Sequence, residues 1–223
     1  MSLLVIDNLH KAFTDAAHTR IEVLRAVSLR AEACEAVAVT GASGTGKSTL
    51  LNIIGGMETA DAGKVMIDDF DVTNANAAHL AAFTRTHIGF IFQFHHLLPD
   101  LTAHENVALP CLINRIAYRE AFARALEMLA AVNLTTRARH LPSELSGGER
   151  GRIAVARALV MRPRLIIADE PTGNLDEHHA AGVAALLLEL TRAHNAIAVI
   201  ATHNPALART CDRTLRLRDG RLG

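Results

Sequence analysis

The run GASGTGKST, from Gly41 to Thr49, sets a lysine and two hydroxyl residues behind three glycines. It satisfies the spacing G-x-x-x-x-G-K-[ST]. Gly41, Gly44 and Gly46 let the backbone turn its N–H groups inward around an anion, with Ala42, Ser43 and Thr45 between them. Lys47 then offers a point charge to the β- and γ-phosphates of a nucleotide, and the hydroxyl of Ser48, next to Thr49, can ligate Mg²⁺. Lysine is scarce in this chain. Only Lys11, Lys47 and Lys64 stand among 23 basic residues, so a lysine inside a glycine loop carries weight.

A phosphate loop has to be held by a strand before it, a helix after it and a carboxylate strand beside it. AVAVT, Ala36 to Thr40, is a short apolar run of the buried parallel-strand kind. A helix is expected from Lys47 to about Ile54, its positive end toward the phosphates. RLIIADE supplies the carboxylates. Four apolar residues lead to Asp169, which at a strand end can hold Mg²⁺ through water. Glu170 follows as base or orienter for an attacking water.

The remaining elements fit an α/β plan. LLVIDNL, IEVLRAVSLRA, KVMIDD and IGFIF read as strands, with a helical segment around Ala77 to Thr86. From Asp100 to about Asn133 the pattern is helical. Thr102 with Glu105 signals a capping box, and YREAFARALEMLAAV has apolar residues at helical spacing. Strand-like runs return at RLIIAD, AIAVIA and RTLRLRDG, so a helical insertion sits within a parallel α/β core.

LSGGE, Leu145 to Glu149, puts a serine and two glycines at a helix start, a second anion-binding arrangement in one chain. Alone it is a weak signal. Together with the loop and the carboxylate strand it resembles the signature of the ABC ATPases, and other stations of that family follow in order. Phe13 resembles the residue that stacks on adenine, and Gln93 the glutamine of the loop between core and helical subdomain, within reach of Mg²⁺. GNLD, Gly173 to Asp176, resembles the loop that crosses a dimer interface, and His203 in ATHN the histidine at the γ-phosphate. Within the family, GFIFQFHHLLPDLTAHENVALP, PSELSGGER and ADEPTGNLD resemble the ATPases of lipoprotein-releasing transporters, whose relatives serve macrolide export and cell division.

The resemblance implies a P-loop, RecA-like core at about 1–92 and 160–223, with an antiparallel β subdomain and an inserted helical subdomain at about 93–159. It implies ATP and Mg²⁺ as cofactors, and a homodimer in which Ser146, Gly147, Gly148, Glu149 and Asp176 of one copy cap the nucleotide on the other. Lys47, Glu170 and His203 would act on the γ-phosphate, with Ser48, Gln93 and Asp169 around the metal. The implied partners are integral membrane permease subunits with large periplasmic domains. The implied task is lipoprotein release toward a periplasmic carrier, or force transmission in the related efflux and division systems. The implied location is the cytoplasmic face of a bacterial inner membrane. Three positions depart from the family pattern: Phe13 for tyrosine, Gly151 for a common glutamine, and Asn204 for a common aspartate. Inside a helix, glycine costs about 1 kcal/mol against alanine.

Composition bounds these readings. The 223 residues suit one domain with a subdomain, and 50% hydrophobic with 21% charged residues describes a globular chain. Balanced charge, 23 against 23, gives no reason to expect nucleic-acid binding. Cys34, Cys111 and Cys211 form no CxxC pair, so neither a disulfide framework nor a zinc knuckle is indicated. The N-terminus lacks the pattern of a signal peptide, and no apolar run approaches the roughly 18 residues a membrane span needs. Twelve histidines, including the pairs at 95–96 and 178–179, show no H-x-x-x-H or H-E-x-x-H spacing, so they are read as solvated or packed. Leu97 and Leu98 are expected to floor an apolar docking groove for a membrane partner, with His95 and His96 at its rim.

Overall fold

The computed structural model describes residues 3–14, 16 and 18–223. Two sheets carry the chain. β1 (Leu3–Thr14), β2 (Arg20–Glu32), β4 (Ala62–Ile67) and β5 (Phe70–Asp71) form a four-stranded antiparallel sheet in the order β2-β1-β4-β5. β3 (Ala36–Thr40), β6 (Ile88–Phe92), β7 (Leu165–Asp169), β8 (Ile197–Ala201), β9 (Arg213–Arg218) and β10 (Arg221–Leu222) form a six-stranded sheet in the order β10-β9-β3-β8-β7-β6. Within it β9, β3, β8, β7 and β6 are parallel, and β10 pairs antiparallel at the edge.

The parallel strands are apolar throughout because both of their faces are covered. Side-chain alternation splits each strand between two cores. Leu165 and Ile167 of β7, with Ile197, Val199 and Ala201 of β8, face one core. Leu50, Leu51, Ile53 and Ile54 of α1 (Lys47–Ile54) fill the same core, as do Leu4, Ile6, Val27 and Val65 of the antiparallel sheet. Helix α1 therefore lies between the two sheets. Ile166 and Ala168 of β7, with Ala198 and Ile200 of β8, face the second core. There they meet α3 (Ala103–Ile113), α4 (Tyr118–Ala131), α5 (Gly147–Leu159) and α6 (Glu177–Ala193). α2 (Ala77–His87) buries no residue fully and leans on the antiparallel sheet through Phe83, stacked on Phe70 at 3.9 Å. α7 (Pro205–Thr210) precedes β9.

The helical stretch from Asp100 is broken in two. α3 ends at Asn114, whose side-chain amide donates to the Pro110 carbonyl (2.9 Å), and α4 restarts at Tyr118. The capping box at Thr102 and Glu105 is present, the Glu105 carboxylate accepting from the Thr102 amide at 2.8 Å. Among the described residues no helix is long and apolar enough to cross a membrane.

Candidate functional site

The carboxyl ends of β3 and β7 open into a cleft of about 740 Å³. Its lining gathers Phe13, Gly41, Ala42, Ser43, Gly44, Gly46, Lys47, Ser48, Thr49, Gln93, Asp169, Glu170 and His203, together with Val23. Thr45 turns away and donates its hydroxyl to the Ala42 carbonyl at 2.9 Å. The loop needs its glycines. Gly44 and Gly46 have φ of 77° and 102°, and a Cβ on Gly46 would sit 2.6 Å from Val23 Cγ1. Gly46 is the N-cap of α1 and offers no capping side chain, so the amides at the start of α1 have no side-chain acceptor there. Lys47 is buried, and its ammonium donates to the carbonyls of Gly41 (2.9 Å) and Ala42 (3.0 Å). A buried cation in a glycine loop that opens a helix suits a polyphosphate.

Glu170 stands directly beyond β7 with φ of 48°, a left-handed conformation unusual for a side chain of its size. Its amide donates to the Ala201 carbonyl at 2.9 Å, tying that turn to the end of β8. Three contacts hold the carboxylate. His203 Nδ1 lies 2.8 Å from Oε1, and Oε2 accepts from the Thr202 hydroxyl and the His203 amide, each at 3.2 Å. Asp169, last residue of β7, is in register between Phe92 and Ala201, so it joins the loop and Gln93 on one rim. Ser48, Asp169 and Gln93 are oxygen donors of the kind Mg²⁺ takes.

Phe13 is 40% exposed, and the Lys11 ammonium lies 4.9 Å from its ring centroid. The same ammonium is fixed by Glu58 (2.7 Å) and the Thr59 carbonyl (2.7 Å), so the ring rests beside a firmly held cation.

Ser146, Gly147, Gly148, Glu149 and Asp176 lie outside this cleft. Ser146 caps α5 in a reciprocal box: its hydroxyl accepts from the Glu149 amide (3.2 Å), and the Glu149 carboxylate accepts from the Ser146 amide (2.8 Å). The Ser146 amide, then the Arg137 guanidinium at 2.9 Å, hold the Glu149 carboxyl below its ordinary range against the opposing effect of burial. Asp176 caps α6 and receives both the amide (3.0 Å) and the imidazole Nδ1 (2.6 Å) of His179.

Several contributing residues carry no signal of their own in the sequence. Asn174 joins Gln93 by two bonds: Gln93 Nε2 donates to Asn174 Oδ1 at 3.4 Å, and Asn174 Nδ2 donates to the Gln93 carbonyl at 2.9 Å. Its place inside GNLD, and that of Thr202 inside ATHN, are the only hints. Arg157 of α5 clamps the segment after Gln93, its guanidinium donating to the carbonyls of His95 and His96, each at 2.6 Å. Asn204, which departs from a common aspartate, caps α7, its Oδ1 accepting from the amides of Ala206 (2.8 Å) and Leu207 (3.4 Å).

Two expectations for the segment after Gln93 need correction. His95 does not rim a groove. It is buried, with φ of 61°, and its Nε2 has no hydrogen-bond partner. Burial, then the charges of Arg150, Arg157 and His96, pull its imidazole below the ordinary histidine value. Nor do the leucines form a groove floor: Leu97 is partly buried against the helical core, and Leu98, though 44% exposed, does not line the groove. The apolar groove, about 400 Å³, lies beside them and is lined by Phe92, His96, Leu109, Pro110, Ile113 and Met161, among others. Gly151, too, gains a reason. A Cβ there would stand 3.2 Å from Val183 Cγ2 and 3.3 Å from His95 Nε2, so the glycine makes room for the buried imidazole.

A family model described as ABC transporter matches residues 24–173, which include the loop, the Ser146 turn and the Asp169–Glu170 pair. The chain belongs to the ABC transporter family. Two solved structures of the cassette MJ0796 are similar over nearly the full length of this ATP-binding domain. One, described as a dimeric post-hydrolysis state bound to ADP and Pi, has a TM-score of 0.88 at 36% identity, covering 98% of this chain and 96% of that one. The other, described as the dimeric structure of a bacterial ABC transporter cassette, has a TM-score of 0.88 at 37% identity with the same coverage. ATP and Mg²⁺ are the cofactors of this ABC cassette.

Proposed function

We propose that this ABC cassette is the ATP-hydrolysing subunit of an inner-membrane transporter that releases lipoproteins toward a periplasmic carrier. One observation carries the hydrolytic part: a phosphate loop, a strand-end aspartate and a glutamate held by a histidine converge on a single cleft. In this reading Lys47 and the amides of Gly41 to Thr49 bind the phosphates. Ser48 and Asp169, with Gln93, would hold Mg²⁺, which when bound would supply positive charge to offset that of the phosphates. Glu170 accepts the proton of the attacking water, and His203 orients that carboxylate while facing the γ-phosphate. Phe13 stacks on the adenine.

The cleft is open, and Ser146, Gly147, Gly148, Glu149 and Asp176 point to a second copy for its closure. The dimeric MJ0796 cassettes support that reading by likeness. The helices at about 93–159 would form the docking side, where the groove beside His96 offers permease subunits an apolar seat, so the subunit works peripherally at the cytoplasmic face. The lipoprotein assignment rests on the run from Gly89 to Pro110 and its resemblance to lipoprotein-releasing ATPases. A related efflux or cell-division complex is the second reading, favoured by the shared signature and strand motifs.

Reconstitution decides between them. The chain should copurify with a permease bearing a large periplasmic domain, and that complex in proteoliposomes should hand a lipoprotein to a soluble acceptor only with ATP. ATP turnover with no lipoprotein release, in a complex that instead lowers the periplasmic side's hold on a division or efflux partner, would replace the first reading with the second.

A further inference from the structure

We infer that His179 is a positioning residue for the turn at Ser146, acting as a spacer that locks the N-termini of α5 and α6 together. The inference rests on the reading that Ser146 to Glu149 complete the nucleotide site of a second copy. His179 occupies the third position of α6, where a glutamate or glutamine would ordinarily reach back to the cap. It reaches the cap's side chain instead. Its amide donates to one Asp176 oxygen at 3.0 Å and its Nδ1 lies 2.6 Å from the other, so a single residue engages both oxygens of the carboxylate. The two bonds, the amide's first, hold the Asp176 carboxyl below its ordinary range.

The other edge of the same imidazole lies on Gly148. A Cβ at Gly148 would come within 2.5 Å of His179 Cδ2, 3.1 Å of Cγ and 3.2 Å of Cβ. The ring thus fills the space that a side chain on α5 would have taken. Leu175 supports the neighbouring glycine, 3.2 Å from where a Gly147 Cβ would stand. Asp176 therefore lies between two braces, and the loop at 173–176 cannot shift without moving the glycines whose amides would meet the partner's phosphate. Placement errors of about 1 Å at such a group cost about a hundredfold in rate. The Asp176 bond is only one part of the brace, so its loss should cost less.

The test compares His179→Ala with His179→Asn in the full-length chain with its permease. Each is measured well below its own melting temperature. The asparagine Nδ2 falls where the imidazole Nδ1 was and keeps the bond to Asp176. His179→Ala should lower kcat about tenfold while KM and ATP affinity of the isolated subunit stay within about twofold, and His179→Asn should recover most of the loss. A merely structural role would lower Tm in both and leave kcat alone. Unchanged kcat in His179→Ala, or equal deficits in both variants, overturns the inference. Ser146→Arg, run in parallel, keeps the underlying reading separate: full activity in that variant would overturn the shared-site reading itself.

Discussion

His203 Nδ1 lies 2.8 Å from Glu170 Oε1, and the His203 amide reaches the other carboxylate oxygen. The histidine thus fixes the glutamate before it meets any substrate. Glu170→Gln keeps the shape and loses the base. ATP binding should persist while hydrolysis falls by at least about a hundredfold. His203→Ala removes one of the three holds on the carboxylate and should lower kcat more than it raises KM. Near-normal turnover by Glu170→Gln in a steady-state phosphate assay would place the base elsewhere.

Lys47 and Ser146 sit in different parts of one chain, and only Lys47 lines the cleft. Subunits carrying Lys47→Ala, mixed with subunits carrying Ser146→Arg, should recover activity because one intact composite site forms in each mixed dimer. Recovery is read from ATPase rate against mixing ratio. A rate that never rises above that of either variant alone would contradict the shared site.

Gly151 sets two effects against each other. Helix propensity favours any residue but proline over glycine, by up to about 1 kcal/mol. Contacts of 3.2 Å to Val183 and 3.3 Å to His95 oppose it. For a β-branched residue the crowding wins, so Gly151→Val should destabilise by about 1–3 kcal/mol. His95→Ala in the same chain should return part of that loss, a coupling that a double-mutant cycle in urea measures. Additive effects would mean that the imidazole is not what the glycine accommodates.

Ile113 is 53% exposed at the groove beside His96, whereas Leu97 is partly buried against the helical core. Ile113→Arg should change stability by no more than about 0.5 kcal/mol, the usual range for a surface site. Permease binding should weaken at least about tenfold in a pull-down titration. Leu97→Arg should instead unfold the isolated subunit. Undiminished permease binding by Ile113→Arg would remove the groove from the interface.

Acid should loosen the starts of α3 and α5. Glu105 is held below its ordinary value by the Thr102 hydroxyl and then its amide, and Glu149 by the Ser146 amide. A depressed carboxylate stabilises the fold fully above its unfolded value, and that contribution is lost as pH falls through the folded value. Each box is a cap of about 1 kcal/mol. Glu149→Gln should therefore flatten the acid side of the stability curve while lowering the neutral plateau, as chemical denaturation at several pH values would reveal.

The phosphate loop, the strand before it and α1 were legible because their chemistry is local: glycine spacing, an apolar run and a helix start suffice. The same holds for the capping box at Thr102. What escaped the sequence depends on contacts distant along the chain. The break between α3 and α4 is made by Asn114, whose amide also donates to the Arg85 carbonyl, 29 residues away, at 3.1 Å. His95, His96 and Glu170 adopt left-handed backbone with no glycine to announce it. Arg157, 61 residues beyond His96, holds that turn, which is why Leu97 points into the helices instead of out toward a partner.

The paired amides of Gln93 and Asn174 impose a thermodynamic symmetry. Gln93 leads into the segment that edges the apolar groove, and Asn174 belongs to the loop before the Asp176 cap. A ligand in the groove that prefers one arrangement of this amide pair changes the affinity of whatever contacts residues 173–176 by some factor. Contact at residues 173–176 must then change affinity in the groove by the same factor. Asn174→Ala would remove this amide pair, and both affinities would lose their dependence on each other together.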